Sequence, residues 1–279
     1  MELIDGKKVS AAIRQDLAQD VSELVSEGKT PGLAVIIVGD NPASRIYVNN
    51  KKKACEEVGI ESYEYAMPAE TTTDELLGVI NFLNGDSAVN GILCQLPLPD
   101  HIDESAVLDA ILPEKDVDGF HPVNCGRLFL GGQTLAPCTP SGIIEMLKFY
   151  DIPIEGKHAV IIGRSNIVGK PMAMLLLQQN ATVTICHSRT ENLSEITAQA
   201  DILIAAVGKP HFVTEDMVKD DAIVIDVGMD RDENGKLCGD VDFDAVSKKA
   251  SYITPVPGGV GPMTITMLLK NTITACREQ

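Results

Sequence analysis

Tyr47 and Lys51 stand four residues apart in a stretch of helical periodicity, so they share one face of a helix. A ring beside an ammonium group makes a stacking platform with a proton donor at its edge. Two more polar residues stand out. Gln95 ends the apolar run Gly91–Gln95 and is followed by Leu96-Pro97-Leu98-Pro99. Asp118 lies in the turn Asp116-Val117-Asp118-Gly119. Singly, each has an ordinary explanation: a helix Lys as a solvated charge, a strand-end Gln as a loop hydrogen bonder, an Asp before Gly as a turn residue. Their common feature is position. All fall at the ends of strand-like runs or in the loops after them, and in parallel sheets ligands sit outside the carboxyl ends of the strands.

A second set lies in His158–Thr190, which reads strand, glycine turn, helix, strand. The turn is Gly163-Arg164-Ser165-Asn166-Ile167-Val168-Gly169-Lys170-Pro171. Glycine there permits a tight turn and close backbone approach. The helix start offers free N–H groups and a positive dipole end, which suits a dinucleotide pyrophosphate. Ser165 replaces the second glycine of the usual pattern and the last glycine comes one residue late, so a ligand-free turn fits the bare pattern as well. After the second strand comes Cys186-His187-Ser188-Arg189-Thr190, without the acidic residue that holds ribose hydroxyls in NAD sites. Ser188 and Arg189, with Arg164, suit a 2′-phosphate, so NADP is expected over NAD. The competing reading makes Arg189 a solvated loop charge.

The elements needed to hold these residues alternate. Helix is expected from Gly6 to Gly28, strand at Leu33–Val38, helix from Ala43 to Val58 and strand at Glu61–Ala66. Thr72 and Glu75 form a candidate capping box for the helix that follows, and Gly91–Gln95 is a third strand. Thr139 is a candidate N-cap with Pro140 first in its helix. Further strands are expected near Asp201–Val207, Ala222–Val227 and Ser251–Thr254, with a polar hairpin at Asp230–Gly239. The Gly/Pro-dense loop Pro255–Pro262 precedes a final helix from Met263 to Arg277. The fold class is α/β with two domains, a substrate domain and a Rossmann-type doubly wound parallel sheet, and a cleft expected between them. The substrate domain is assigned 1–139 plus a returning helix 262–279, and the nucleotide domain 140–261.

Composition agrees. At 279 residues and 44% hydrophobic, two full cores are expected. No apolar run is long enough for a membrane span, and the charged start is unlike a targeting peptide. Seven cysteines without C-x-x-C spacing read as reduced thiols of a cytoplasmic protein. A net charge of −17 argues against nucleic acid or an anionic membrane as partner. No cluster has metal-ligand spacing, so no metal is expected.

Taken in order, the motifs Ser44-x-x-Tyr47-x-x-x-Lys51, Gln95-Leu-Pro-Leu-Pro99, Lys115-Asp-Val-Asp-Gly119, Pro137-Cys-Thr-Pro140, Gly163-Arg-Ser-x-x-Val-Gly169-x-Pro171, Asp226-Val-Gly228 and Pro255-Val-Pro-Gly-Gly-Val-Gly-Pro-Met-Thr264 resemble the bifunctional methylenetetrahydrofolate dehydrogenase/cyclohydrolase family. The resemblance runs from the first helix to the last. It implies oxidation of 5,10-methylenetetrahydrofolate by NADP⁺, then hydrolysis of the methenyl cation to 10-formyltetrahydrofolate. Lys51 would handle the proton, Gln95 would orient Lys51, Tyr47 would stack on the folate, and Asp118 would bind the pterin N–H groups. Pro257, Gly258, Gly259 and Pro262 would line the substrate, and Gly163, Arg164, Ser165, Ser188, Arg189 and Met229 would hold the cofactor. A homodimer is implied as well.

Lys52 and Lys53 read as solvated charges, and Cys138 as a core or wall thiol. His121 and His187 are weak candidates for a base. Two other readings remain open here: a shikimate-dehydrogenase-like NADP oxidoreductase, which would not need Gln95 and the Pro/Gly loop together, and a non-enzymatic nucleotide-binding protein, which would not need Lys51.

Overall fold

The computed structural model describes residues 1–279, the side chain of Ala43 excepted. The chain begins with β1 (Glu2–Leu3), α1 (Gly6–Ser26), β2 (Gly32–Val38), α2 (Pro42–Val58), β3 (Glu61–Met67), α3 (Thr73–Gly85) and β4 (Gly91–Cys94). Three helices follow: α4 (Glu104–Ala110), α5 (Pro122–Phe129) and α6 (Cys138–Phe149). Then come β5 (His158–Ile162), α7 (Gly169–Gln178), β6 (Thr182–Cys186), α8 (Leu193–Thr197), β7 (Ile202–Ala205) and β8 (Ile223–Asp226). The last elements are β9 (Asp230–Arg231), β10 (Leu237–Cys238), α9 (Phe243–Val246), β11 (Tyr252–Ile253) and α10 (Val260–Glu278). Among the described residues no helix is long and apolar enough to cross a membrane.

The chain divides into two compact units. One holds Ala12–Cys138 and Ile265–Gln279, the other Met1–Ala11 and Thr139–Thr264. In the first, three parallel strands lie in the order β3-β2-β4. Every residue of β2 is buried, as expected of a central strand covered on both faces. Ala34, Ile36 and Val38 pack with Leu76, Ile80 and Leu83 of α3 and with Val107 and Ile111. Thr72 and Glu75 make the expected capping box at the start of α3. Beyond β4 the chain returns alongside it: Ile92 pairs in parallel with Asp116, and its N–H donates to the Lys115 carbonyl at 2.7 Å.

The second unit is a six-stranded sheet, β1-β11-β8-β7-β5-β6, with every pair parallel. Strand order reverses at β5, which has β6 on one side and β7 on the other. Ligands of such sheets bind at the carboxyl ends beside that reversal. Its core gathers Val160, Ile162, Leu203, Val224 and Ile253.

Several boundaries differ from expectation. Residues 1–11 group with the six-stranded unit, because Glu2–Leu3 pairs with Tyr252–Ile253. Thr139 is not an N-cap: α6 already begins at Cys138, and the Thr139 hydroxyl bonds that of Thr264 at 2.8 Å. The final helix starts at Val260, so Pro262 occupies its first turn, where a missing N–H is tolerated. Helix α5 was not anticipated; Pro122 opens it and His121 caps it.

Ile36 is fully buried at the centre of β2. Ile36→Ala is expected to lower unfolding free energy by about 2–5 kcal/mol in a urea titration, through lost burial and a residual cavity.

Candidate active site

In the three-stranded unit, α2 follows β2 and carries Tyr47 and Lys51 one turn apart. Lys51 is 8% exposed, uncommon for a lysine. Its ammonium donates to the Gln95 Oε1 at 2.9 Å. Gln95 stands immediately after β4. Its N–H donates to the Ile36 carbonyl at 2.8 Å, and its side-chain amide donates to the Leu96 carbonyl at 2.8 Å. With the amide so engaged, Oε1 is the atom turned to Lys51. The Leu96–Pro97 bond that follows is cis.

Asp118 reaches the same place through the segment paired with β4. The buried Asp116 shapes that turn, accepting from the N–H groups of Gly119 (3.1 Å) and His121 (2.8 Å) and from the Asn124 amide (2.9 Å). A side chain at Gly119 would meet the Ala136 carbonyl carbon at 2.6 Å, so only glycine fits the close pass there. The sequence reading missed Asn271 of α10, a buried amide that donates to the Val117 carbonyl at 2.8 Å and the Ala136 carbonyl at 3.0 Å. It holds the two strands of chain on either side of Asp118 and Gly119. A lone Asn among the apolar residues of the last helix was the available signal.

Electrostatics make this cluster unusual. Burial holds the Lys51 ammonium below its ordinary range, while the Asp118 carboxylate pulls the other way. Asp118 keeps part of its surface open, but protein surrounds its carboxyl. Burial pushes that carboxyl up to about 6, with Asp116 adding to the rise and Lys51 opposing it. The Cys138 thiol, also buried here, is pushed well up by burial and by Asp118, and donates to the Val117 carbonyl at 3.3 Å. Tyr47 is 38% exposed on the same helix, and partial burial raises its phenol. A desolvated amine, an oriented amide, an adjacent carboxyl and an open ring make a proton-handling site for a flat, polar ligand.

The six-stranded unit holds the glycine turn. Gly163 follows β5 at φ +132°, and a Cβ there would come within 2.3 Å of the Ala206 carbonyl oxygen. A Cβ at Gly169 would meet the Gly163 carbonyl oxygen at 2.3 Å. Ser165 steadies the turn before the helix: its hydroxyl accepts from the Val168 N–H at 3.1 Å and the Gly169 N–H at 3.4 Å. Arg164, Ser188 and Arg189 are exposed. This is a backbone cradle at a helix N-terminus with cations beside it, which fits a dinucleotide carrying an extra phosphate. Met229 follows β8, and its side chain lies near Gly261. Pro257, Gly258, Gly259 and Pro262 all belong to this unit. Gly258 and Gly259 are buried, and a Cβ on Gly6 would strike the Gly259 carbonyl oxygen at 1.8 Å.

Neither histidine is placed as a base. The His121 Nδ1 accepts the Val123 N–H at 3.1 Å, and the His187 Nδ1 accepts the Arg189 N–H at 3.1 Å. Among the described residues, no group of three or more His, Cys, Asp or Glu is arranged to hold a metal ion.

A parallel sheet with a glycine turn at its order reversal, joined in one chain to a unit bearing a desolvated lysine, defines a two-unit nucleotide-dependent enzyme. Comparison with known proteins is specific. Residues 4–118 match the catalytic-domain model of the tetrahydrofolate dehydrogenase/cyclohydrolase family, and residues 137–279 match its NAD(P)-binding domain model. The bifunctional protein FolD of Lachnoclostridium phytofermentans is 60% identical, over 99% of this chain and 98% of its own. The bifunctional FolD of Campylobacter jejuni superposes with a TM-score of 0.98 at 56% identity, covering 100% of this chain and 99% of that one. The enzyme of Trypanosoma brucei, solved with NADP and an inhibitor, gives a TM-score of 0.94 at 42% identity, over 99% and 97% of the two chains. The chain belongs to the tetrahydrofolate dehydrogenase/cyclohydrolase family.

Asp118 carries a pH prediction. Its folded value of about 6 lies above the ordinary 3.8, so between those values the native state binds a proton the unfolded chain has lost. Its ionisation therefore destabilises the fold as pH rises through that window. Asp118→Asn is expected to raise the urea midpoint at pH 8, and the gain should shrink as pH falls below 6. A lower midpoint at pH 8 would refute the assignment.

Proposed function

We propose that this protein oxidises 5,10-methylenetetrahydrofolate to the 5,10-methenyl form with NADP⁺ and hydrolyses that product to 10-formyltetrahydrofolate. It is an enzyme of one-carbon folate metabolism, and NADP is its cofactor. The observation that carries the reading is the buried Lys51–Gln95 pair beside Asp118, in a chain that matches both domain models of the family. The shikimate-dehydrogenase-like and non-enzymatic readings are not favoured, given 60% identity to a bifunctional FolD over 99% of the chain.

The bound cofactor supplies a hydride acceptor. Loss of hydride from a carbon between two nitrogens leaves a resonance-stabilised cation, so this step chiefly requires positioning. Tyr47 stacks on the folate and fixes the exposed face. The Asp118 carboxyl accepts from the pterin amino and ring N–H groups. In the second step water adds to the methenyl carbon, and the neutral Lys51 amine takes a proton from it. The resulting hydroxyl adduct then collapses: its O–H proton passes to solvent as the C=O forms, the bond to N5 breaks, and the Lys51 ammonium returns its proton to N5, leaving the formyl group on N10. Burial keeps a larger share of Lys51 neutral than in a solvated lysine, and Gln95 Oε1 aims its lone pair. Gly163, Arg164, Ser165, Ser188, Arg189 and Met229 would hold the cofactor, the two arginines supplying positive charge for its 2′-phosphate. Pro257, Gly258, Gly259 and Pro262 contribute to substrate binding. A homodimer and a cytoplasmic location complete the reading; seven free cysteines, six of them buried, suit a reducing compartment.

The test follows reduced nicotinamide and methenyl-folate together. The parent protein is expected to reduce NADP⁺ on 5,10-methylenetetrahydrofolate without accumulating the methenyl product. Lys51→Met should slow hydrolysis of added methenyl-folate by about 10²–10⁴-fold, the range for a lost general base, with NADP⁺ affinity unchanged. Absence of both signals in the parent would overturn the reading. Hydrolysis that survives in Lys51→Met would remove Lys51 from its role.

A further inference from the structure

Two carboxylates outside the sites above are buried where the sheet's ligand end begins. Asp226 is the last residue of β8 and is 4% exposed; Asp240 follows β10 and is 0% exposed. Their bonds go to backbone N–H groups. The Asp240 Oδ2 accepts from Val207 at 2.7 Å and Gly208 at 3.2 Å, and its Oδ1 accepts from Lys209 at 2.7 Å. The Asp226 Oδ1 accepts from Gly228 at 2.9 Å and from the Asp240 N–H at 2.9 Å, and its Oδ2 accepts from Val241 at 3.0 Å. Asp226 thus holds Asp240, and Asp240 holds the loop after β7. The segment is pinned from its other side as well, since the Val213 N–H donates to the Asp240 carbonyl at 2.9 Å.

The packing leaves no slack. A Cβ on Gly239 would lie 2.0 Å from the Asp226 Oδ2, and one on Gly228 would lie 2.5 Å from the Asp240 nitrogen. The loops so held are the ones beside the glycine turn. Ala206 begins the loop after β7; its N–H donates to the Ile162 carbonyl at 2.8 Å, and its own carbonyl is the atom that excludes a side chain at Gly163. Gly228 and Met229 form the loop after β8.

Three successive N–H groups converging on one point make a nest for an anion. Here the anion comes from the chain itself. Two adjacent buried carboxylates are a costly way to hold a loop. Burial pushes Asp226 up to about 6, and the neighbouring Asp240 adds to the rise. Asp230, whose Oδ2 has no hydrogen-bond partner among the described residues, is raised by burial and by Asp240 too. Costly acids of this kind concentrate at functional sites.

We propose that Asp226 and Asp240 are positioning residues for the cofactor, a two-carboxylate clasp that sets the loops after β7 and β8 in the shape the dinucleotide needs. The inference rests on the NADP reading above. Asp240→Asn keeps the size of the side chain but turns one acceptor into a donor facing an N–H group.

NADP⁺ affinity is measured by calorimetry and hydrolysis with added methenyl-folate, a step that consumes no nucleotide. For Asp240→Asn the dissociation constant for NADP⁺ should rise about 10–100-fold, the loss of one hydrogen bond to a charged group, with hydrolysis within about twofold of the parent. Asp226→Asn is the gentler variant and decides the matter if Asp240→Asn does not fold. Its nucleotide affinity should fall about three- to tenfold, again with hydrolysis retained. The clasp is overturned if the folded variants bind NADP⁺ as the parent does, or if hydrolysis and nucleotide affinity fall in equal proportion, which marks a general structural role. A parent that itself fails to use NADP⁺ overturns the proposed function instead.

Discussion

The desolvation of the Lys51 ammonium is the constraint on which the three-stranded unit depends. Burying such a group is strongly unfavourable unless it is paired or surrenders its proton. Here it donates one hydrogen bond to a neutral acceptor, Gln95 Oε1, and feels the field of a carboxyl that burial itself keeps only weakly acidic. Neither partner fully compensates the charge. Burial therefore holds the amine below the ordinary lysine range, the direction the proposed proton transfer requires. Much of the surrounding structure serves this arrangement. Strand β2 leads into α2, β4 delivers Gln95 at its end, and the Asp116 turn and Asn271 set the chain on both sides of Asp118.

The six-stranded unit meets a different demand. A dinucleotide is recognised largely by backbone, so the backbone must be placed accurately and approached closely. Glycine at positions 163 and 169 lets the turn pack closely on neighbouring backbone, because any side chain there would collide with a carbonyl oxygen. Placement of the neighbouring loops falls to Asp226 and Asp240. One unit spends stability on an under-compensated cation and the other on crowded anions. Both lie where chemistry or cofactor binding is assigned, consistent with strain collecting at functional sites.

What could be read from the sequence was local or strongly periodic. The strands β2 and β5 are short apolar runs, and the Thr72–Glu75 capping box needs only three residues of spacing. The spacing of Tyr47 and Lys51 put them on one helix face, while the roles of Gln95 and Asp118 came from resemblance and not from composition. Non-local pairings were illegible. Glu2–Leu3 is a strand only because residues 250 positions later accept it as a neighbour. Thr139 has the type and place of an N-cap, yet a distant threonine takes its hydroxyl. Asp240 lies just past the expected polar hairpin Asp230–Gly239, and nothing nearby in sequence reveals that its acceptors serve amides more than 30 residues away.

The central claim concerns the protonation of one amine, and that can be observed directly. Lysine labelled with ¹³C at Cε would be incorporated into the protein and its resonances followed by NMR as pH rises, with Lys51→Met identifying the signal. The account predicts that Lys51 titrates clearly below the ordinary lysine value of 10.5, and lower still in Asp118→Asn, where the carboxylate that favours its charged form is gone. A Lys51 signal that titrates with the solvated lysines, and does not respond to Asp118→Asn, would contradict it.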